Sequence, residues 1–358
     1  MGGRVYLNFA SDDYLDLATD PRLARAAARA SLRYGCGAGA SPAFTGSLPP
    51  HRSLERALAR REGAEACLVF ENSFIANLVL IGTLVGPKDV VFCDAFSFPG
   101  LMDVCALSGA TVHYYRNSDL RGLGDLLRKH GSRRRRRLIV TDTLFGTSGL
   151  VAPLTDIAGL AERYDALVVA DESHAAGVLG KLGRGLLDSL SEQTPGRHRV
   201  LKTSTLSKAY GSQGGFVCGP RKFLTVLSRH SALATSSVAL AVPAAAAARR
   251  AVLLADQEPD RRRRVLTLAN HLRELLQLRG FPAGPSRAQI VPVTVGDPRL
   301  AQRMSRQLQK IGLLVPAVGP PLVPAGMARL RISLTAGHTD ADVDHLIDAL
   351  SDTRSAED

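Results

Sequence analysis

A chain of 358 residues with 45% hydrophobic and 22% charged content can bury a large core and is too long for one small domain. The net charge of +12 rests largely on arginine, and its tightest runs, Arg133–Arg137 and Arg261–Arg264, flank ordinary elements. They read as solvated loop and helix faces, with a share left to attract an anionic substrate, and give no case for a nucleic-acid partner. No apolar run of about 18 residues occurs, and MGGRVYLNFASDDYLDLA has no basic segment leading into an apolar one, so the expected setting is the cytoplasm, with no membrane span and no secretory route.

In chain order, CLVF from Cys67, VVFC from Val90, LIVT from Leu138 and ALVVA from Ala166 are short apolar runs without alternation. Strands covered on both faces of a parallel sheet look like this. Helical periods lie between them, with Leu54, Leu58 and Arg61 near one stripe and Leu154, Ile157, Leu160 and Tyr164 on another. The alternation predicts a large, mostly parallel α/β sandwich. Near residue 240 the texture changes to a long alanine-rich helix, VALAVPAAAAARRAVLLA, then a charged helix from about Pro259 to Arg279. Beyond it AQIVPVTVG, RLAQRMSRQLQKIG, RLRISLTA and DADVDHLIDAL alternate strand and helix again, as a smaller α/β domain would. The expected division is an amino-terminal segment, 1–25, packing with the small domain, a large domain, 26–250, and a small carboxyl-terminal domain, 251–358.

Three segments could carry chemistry. In VLKTSTLSKAYGSQGGFVCG, Lys208 stands among small residues, where burial would lower its pKa toward imine chemistry, and Thr205 could offer a hydroxyl to a phosphate. In ALVVADESHAAGVLG a buried run ends in Asp171, at the carboxyl end of a strand, where open parallel sheets bind ligands. A carboxylate there can pair with a protonated ring nitrogen. His174 follows three residues on, in a position that suits a ring oxygen or an ordinary loop histidine. In CLVFENSFIANLVLIG a strand breaks before a helix, so Asn72 and Ser73 suit either phosphate contact or a plain helix cap. The five cysteines (Cys36, Cys67, Cys93, Cys105, Cys218) form no ligand-like group, and free buried thiols without a metal are expected.

Strand, phosphate-binding turn, acid and lysine in that order resemble the fold-type I pyridoxal-phosphate enzymes of the aspartate aminotransferase-like fold. More narrowly, the chain resembles the α-oxoamine synthases through NFASDDYLDLA, GCGAGASPAFTGS, HRSLERALA, NSFIAN, DESHAAGVLGKLGRG, TSTLSKAYGSQGG and PPLVPAGMARLRISLTAGHT. The resemblance implies pyridoxal 5'-phosphate held by Lys208 as an internal aldimine, Asp171 on the pyridine nitrogen, His174 on the ring hydroxyl and Thr205 on the phosphate. It extends the cofactor set to Asn72, Ser73 and Phe74, which stand where the family has a Ser-Gly-Phe turn, and gives Arg331 the substrate carboxylate. Thr235 and Ser236 would reach the phosphate from a second subunit, which implies a homodimer with shared sites. The implied reaction is a decarboxylative condensation of an amino acid with an acyl thioester such as an acyl-CoA, to give an α-amino ketone.

The chain departs from the family pattern where substrate is handled. Phe98 stands where a histidine usually stacks on the cofactor ring; phenyl can stack but cannot donate a proton. Asp142 replaces a glutamate, Gly146 a serine, and Gly319 an arginine present in some members. The alternatives these departures leave open are another reaction on the same cofactor, such as amino transfer or lyase chemistry, and a catalytically silent partner subunit.

Overall fold

The computed structural model describes residues 3–130, 136–231, 234 and 237–355. Their strands are β1 (Leu7–Asn8), β2 (Ala66–Phe70), β3 (Val90–Asp94), β4 (Thr111–Tyr115), β5 (Arg137–Asp142), β6 (Leu167–Asp171), β7 (Val200–Thr205), β8 (Gly215–Gly219), β9 (Ile290–Gly296), β10 (Leu313–Leu314), β11 (Ala317–Val318) and β12 (Ala328–Ser333). The chain divides into two compact units. The larger comprises Leu17–Leu144 and Ala152–Glu258, and the smaller Met1–Asp16, Phe145–Val151 and Pro259–Asp358.

The larger unit holds a seven-stranded sheet in the order β2-β8-β7-β6-β5-β3-β4. Strands β3 to β7 pair in parallel, whereas β8 is antiparallel to both β7 and β2. The four apolar runs of the sequence are β2, β3, β5 and β6. Buried side chains of β3, β5 and β6 pack with Val79, Leu80 and Ile81 of the helix Ser73–Leu84 and Val104 of the helix Pro99–Leu107. Burying one large aliphatic side chain contributes about 1.5–3 kcal/mol, so this double covering fixes the register of the central strands. The edge strand β4 is instead exposed at Thr111 and Tyr114 and buried only at Tyr115, and it lacks a continuous apolar run for that reason.

In the smaller unit β11, β12 and β9 form an antiparallel sheet, and β1 pairs in parallel with β10. The helices Pro259–Leu278, Pro298–Lys310 and Asp340–Ser355 accompany it. Asp297 starts the second of these by accepting the Leu300 N–H at 2.7 Å, ahead of a proline that needs no donor there. Cys67, Cys93, Cys105 and Cys218 are buried and free as expected, but Cys36 is exposed, flanked by Gly35 and Gly37, which have no side chains to cover it. No helix among the described residues is long and apolar enough to cross a membrane.

Candidate active site

The site in the larger unit is built at the carboxyl ends of β5, β6 and β7, beside the point where the strand order reverses around β3. Register places Asp142 of β5 opposite Asp171 of β6, and Asp171 opposite Thr203 of β7. Asp171 is 6% exposed. Its Oδ2 accepts from Asn77 Nδ2 at 2.7 Å and its Oδ1 from the Ser173 N–H at 2.8 Å. Both donors are neutral, and two buried atoms beside it, Asn77 Oδ1 and Ser173 Oγ, have no hydrogen-bond partner among the described residues. Sequence reasoning missed Asn77, although a lone amide inside the apolar helix segment SFIANLVLIGTL is the signal that a buried polar group needs a partner.

Asp142 lies in the same buried layer, and its Oδ2 accepts the Phe98 N–H at 2.7 Å. Burial first, then the charge of Asp171, pushes its carboxyl well above the usual range, while the Phe98 N–H and the Lys208 ammonium pull it back. Asp142 and Asp171 thus stand side by side in one buried layer, with the Lys208 cation within electrostatic reach of Asp142.

Lys208 is half-buried in the turn that follows β7. That turn closes on itself through Leu206 N–H to Gly214 O at 2.8 Å, Ser212 N–H to Leu206 O at 2.9 Å and Gly211 N–H to Lys208 O at 2.9 Å. Gly211 has φ +56°, and a Cβ on it would stand 2.3 Å from the Ala18 nitrogen, so any larger residue would force the lysine turn open. Thr205 is buried; its hydroxyl donates to Gly214 O at 3.1 Å and receives the Ser207 N–H at 3.2 Å.

Gly215 brings the start of β8 against the helix opening at Ser73, since a Cβ there would lie 2.3 Å from the Asn72 carbonyl carbon. Asn72 is that helix's cap, its side chain accepting the Ile75 N–H at 2.9 Å. Phe74 and Phe98 both close on Gly100 and remain 38% and 64% exposed. His174 is half-buried in the turn after β6. Thr235 and Ser236 lie outside the described residues.

Arg331 belongs to the smaller unit, on β12. Its Nη2 donates to Asp12 Oδ1 at 2.8 Å and its Nε to the Gly146 carbonyl. Burial opposes its charge, but Tyr14 and Asp12 outweigh burial and hold its pKa above the ordinary value. The guanidinium is a fixed cation. Among the described residues no cluster of three or more His, Cys, Asp or Glu side chains forms a metal site.

The model of the family described as "Aminotransferase class I and II" matches residues 4–350. The chain belongs to that family. Within it, the relatives are α-oxoamine synthases. An 8-amino-7-oxononanoate synthase from Anaeromyxobacter dehalogenans strain 2CP-1 is 40% identical over 352 residues, covering 98% of this chain and 87% of the relative. The enzyme of the same name from Anaeromyxobacter sp. strain Fw109-5 is 43% identical over 353 residues, again covering 98% and 87%. Among solved structures, Sphingomonas wittichii serine palmitoyltransferase superposes with a TM-score of 0.93 at 26% identity, over 99% of this chain and 88% of that one. The fold is therefore that of the fold-type I pyridoxal-phosphate enzymes.

Proposed function

We propose that the chain is a pyridoxal-phosphate-dependent α-oxoamine synthase that joins an amino acid to an acyl thioester with loss of carbon dioxide. The observation that carries this reading is Asp171, a buried carboxylate at the carboxyl end of β6 held only by neutral donors, beside Asp142, which feels the charge of Lys208. Such a carboxylate fits a cationic ring nitrogen, and the unpartnered Ser173 Oγ and Asn77 Oδ1 beside it are further capacity for a polar ligand. Pyridoxal phosphate would supply an electron sink for a carbanion on the amino acid's α-carbon.

The chain's own residues supply the rest. Lys208 would hold the cofactor carbonyl, and its amine would be the group that moves protons at the substrate α-carbon. Asp171 would keep the ring nitrogen protonated, and His174 would hold the ring hydroxyl. Asn72, Ser73 and Thr205 shape the phosphate turn, where helix N–H groups favour an anion. Phe98 would stack on the ring, and Asp142 fixes Phe98 by accepting its backbone N–H. Because a phenyl ring carries no proton, proton transfers fall to Lys208. Arg331, held by Asp12 and Gly146, takes the substrate carboxylate. The working form is a cytoplasmic homodimer.

The reaction consumes one amino acid and one thioester and yields an α-amino ketone, one carbon dioxide and one free thiol. The test is to load the purified chain with pyridoxal phosphate, supply an amino acid panel with acyl-CoA donors, and measure thiol and carbon dioxide together. Equal release with one amino acid supports the proposal. Amino transfer to a keto acid without thiol release would replace it with an aminotransferase, and silence across the panel would leave a non-catalytic subunit.

A further inference from the structure

Four arginines that the proposed reaction does not use gather around one cleft on the larger unit. The helices Pro21–Tyr34, Pro49–Glu62 and Val242–Gln257 enclose a cleft of about 500 Å³. Arg29, Arg56, Arg249 and Arg250 line it, and no carboxylate does. The first helix, PRLARAAARASLRY, has no acidic residue at all. Among the described residues none of the four arginines has a salt bridge, in contrast to Arg22, Arg61 and Arg199 of the same unit, each of which meets an acid. Arg249 Nε is sealed from water with no acceptor. Four like charges around one concavity repel each other, and an anion between them removes that cost.

We propose that this cleft binds the di- or triphosphate group of a small molecule. Guanidinium forks match phosphate oxygens in bidentate pairs, and four of them call for more than a single phosphate. The volume is that of a small-molecule pocket, and apart from Ser53 the remaining wall, including Tyr34 and Leu253, is apolar or aromatic, so the cleft can also take a ring attached to the phosphates. It shares no residue with the cofactor turn at Asn72 and Ser73, so the site is additional to the catalytic one.

The test uses the full chain saturated with pyridoxal phosphate, so that the cofactor's own phosphate turn is filled. Sodium tripolyphosphate and, separately, metal-free ATP are titrated calorimetrically into the chain, the Arg249→Gln/Arg250→Gln variant and the Arg29→Gln variant. Arg29 is exposed, and its replacement does not put folding at stake. The expected result is one equivalent bound per chain, with affinity about tenfold weaker or more for each charge-assisted contact removed and the cofactor absorption unchanged. Equal affinity for both probes identifies an inorganic polyphosphate as the ligand. A tenfold preference, by order of magnitude, for ATP identifies a nucleotide with its base on the apolar wall. No binding, binding undiminished in both variants, or tighter binding of a DNA duplex than of either probe would overturn the proposal.

Discussion

Asp171 and Glu172 are consecutive, both buried, and their carboxylates are met in opposite ways. Around Glu172 charge is matched locally. Lys202 Nζ stands 3.3 Å from it and 2.5 Å from Glu62, and Leu187 N–H donates at 2.7 Å. Burial pushes Glu172 upward and Lys202 pulls it back, while the two glutamates hold the Lys202 ammonium above its ordinary pKa despite burial. Around Asp171 the donors are an amide and a backbone N–H, and the next strand presents a second carboxyl, Asp142. The first arrangement sets a buried ammonium against both carboxylates, although Glu62 Oε1 and Glu172 Oε2 accept no hydrogen bond among the described residues, and it serves the fold. The second leaves negative charge for a cationic ligand to meet, the mark of a site that binds.

The largest way to break this contrast is Lys202→Met. Two glutamates would lose their buried cation, and stability should fall by about 3–5 kcal/mol in a urea titration. A loss under about 1 kcal/mol would show that water reaches this cluster and that it is not the closed structural pair described. Asn77→Leu tests the other side. It removes a neutral donor from Asp171, and affinity for pyridoxal phosphate should weaken about tenfold, read from an absorbance titration, with a smaller change in the urea midpoint. Unchanged affinity would separate Asn77 from the site.

A smaller effect concerns pH. In the smaller unit His338 is buried, stacks on Phe9 at a centroid distance of 4.4 Å, and accepts the Thr335 N–H on Nδ1 at 3.0 Å. Burial, as the largest influence, lowers its pKa below 6.5. The folded chain therefore binds this proton more weakly than the unfolded chain does. Stability is intact above pH 6.5 and declines as pH falls through the depressed pKa. The melting temperature should drop more steeply between about pH 6.5 and 5 for the wild type than for His338→Asn. Parallel curves would assign the acid sensitivity to other groups.

Much of this was legible in the sequence because the central strands are buried on both faces, and an unbroken run such as LVVAD records that directly. The antiparallel β8 was not, since GFVCG is short and its direction is set by pairing to β7 and β2 across distant sequence. Asp171, Lys208 and Thr205 stand out as candidates by their place in motif blocks. Their partners were harder to read: Asn77 acts on Asp171 across 94 residues, and Asp12 meets Arg331 across 319. The cap reading of Asn72 is the one its hydrogen bond bears out. The exposed Phe98 signals a departure from the family pattern, but only the structure ties its backbone to Asp142.

The central claim is that Lys208 and the uncompensated carboxylate of Asp171 form one cofactor site. It is tested most directly by reducing the full chain, loaded with pyridoxal phosphate, with borohydride and mapping its peptides by mass spectrometry. The account predicts one pyridoxyl-phosphate addition per chain, on Lys208, absent from Lys208→Ala. It also predicts a cofactor that is retained but weakly held in Asp171→Asn. Label on other lysines at equal yield, or none on a folded chain, would contradict it.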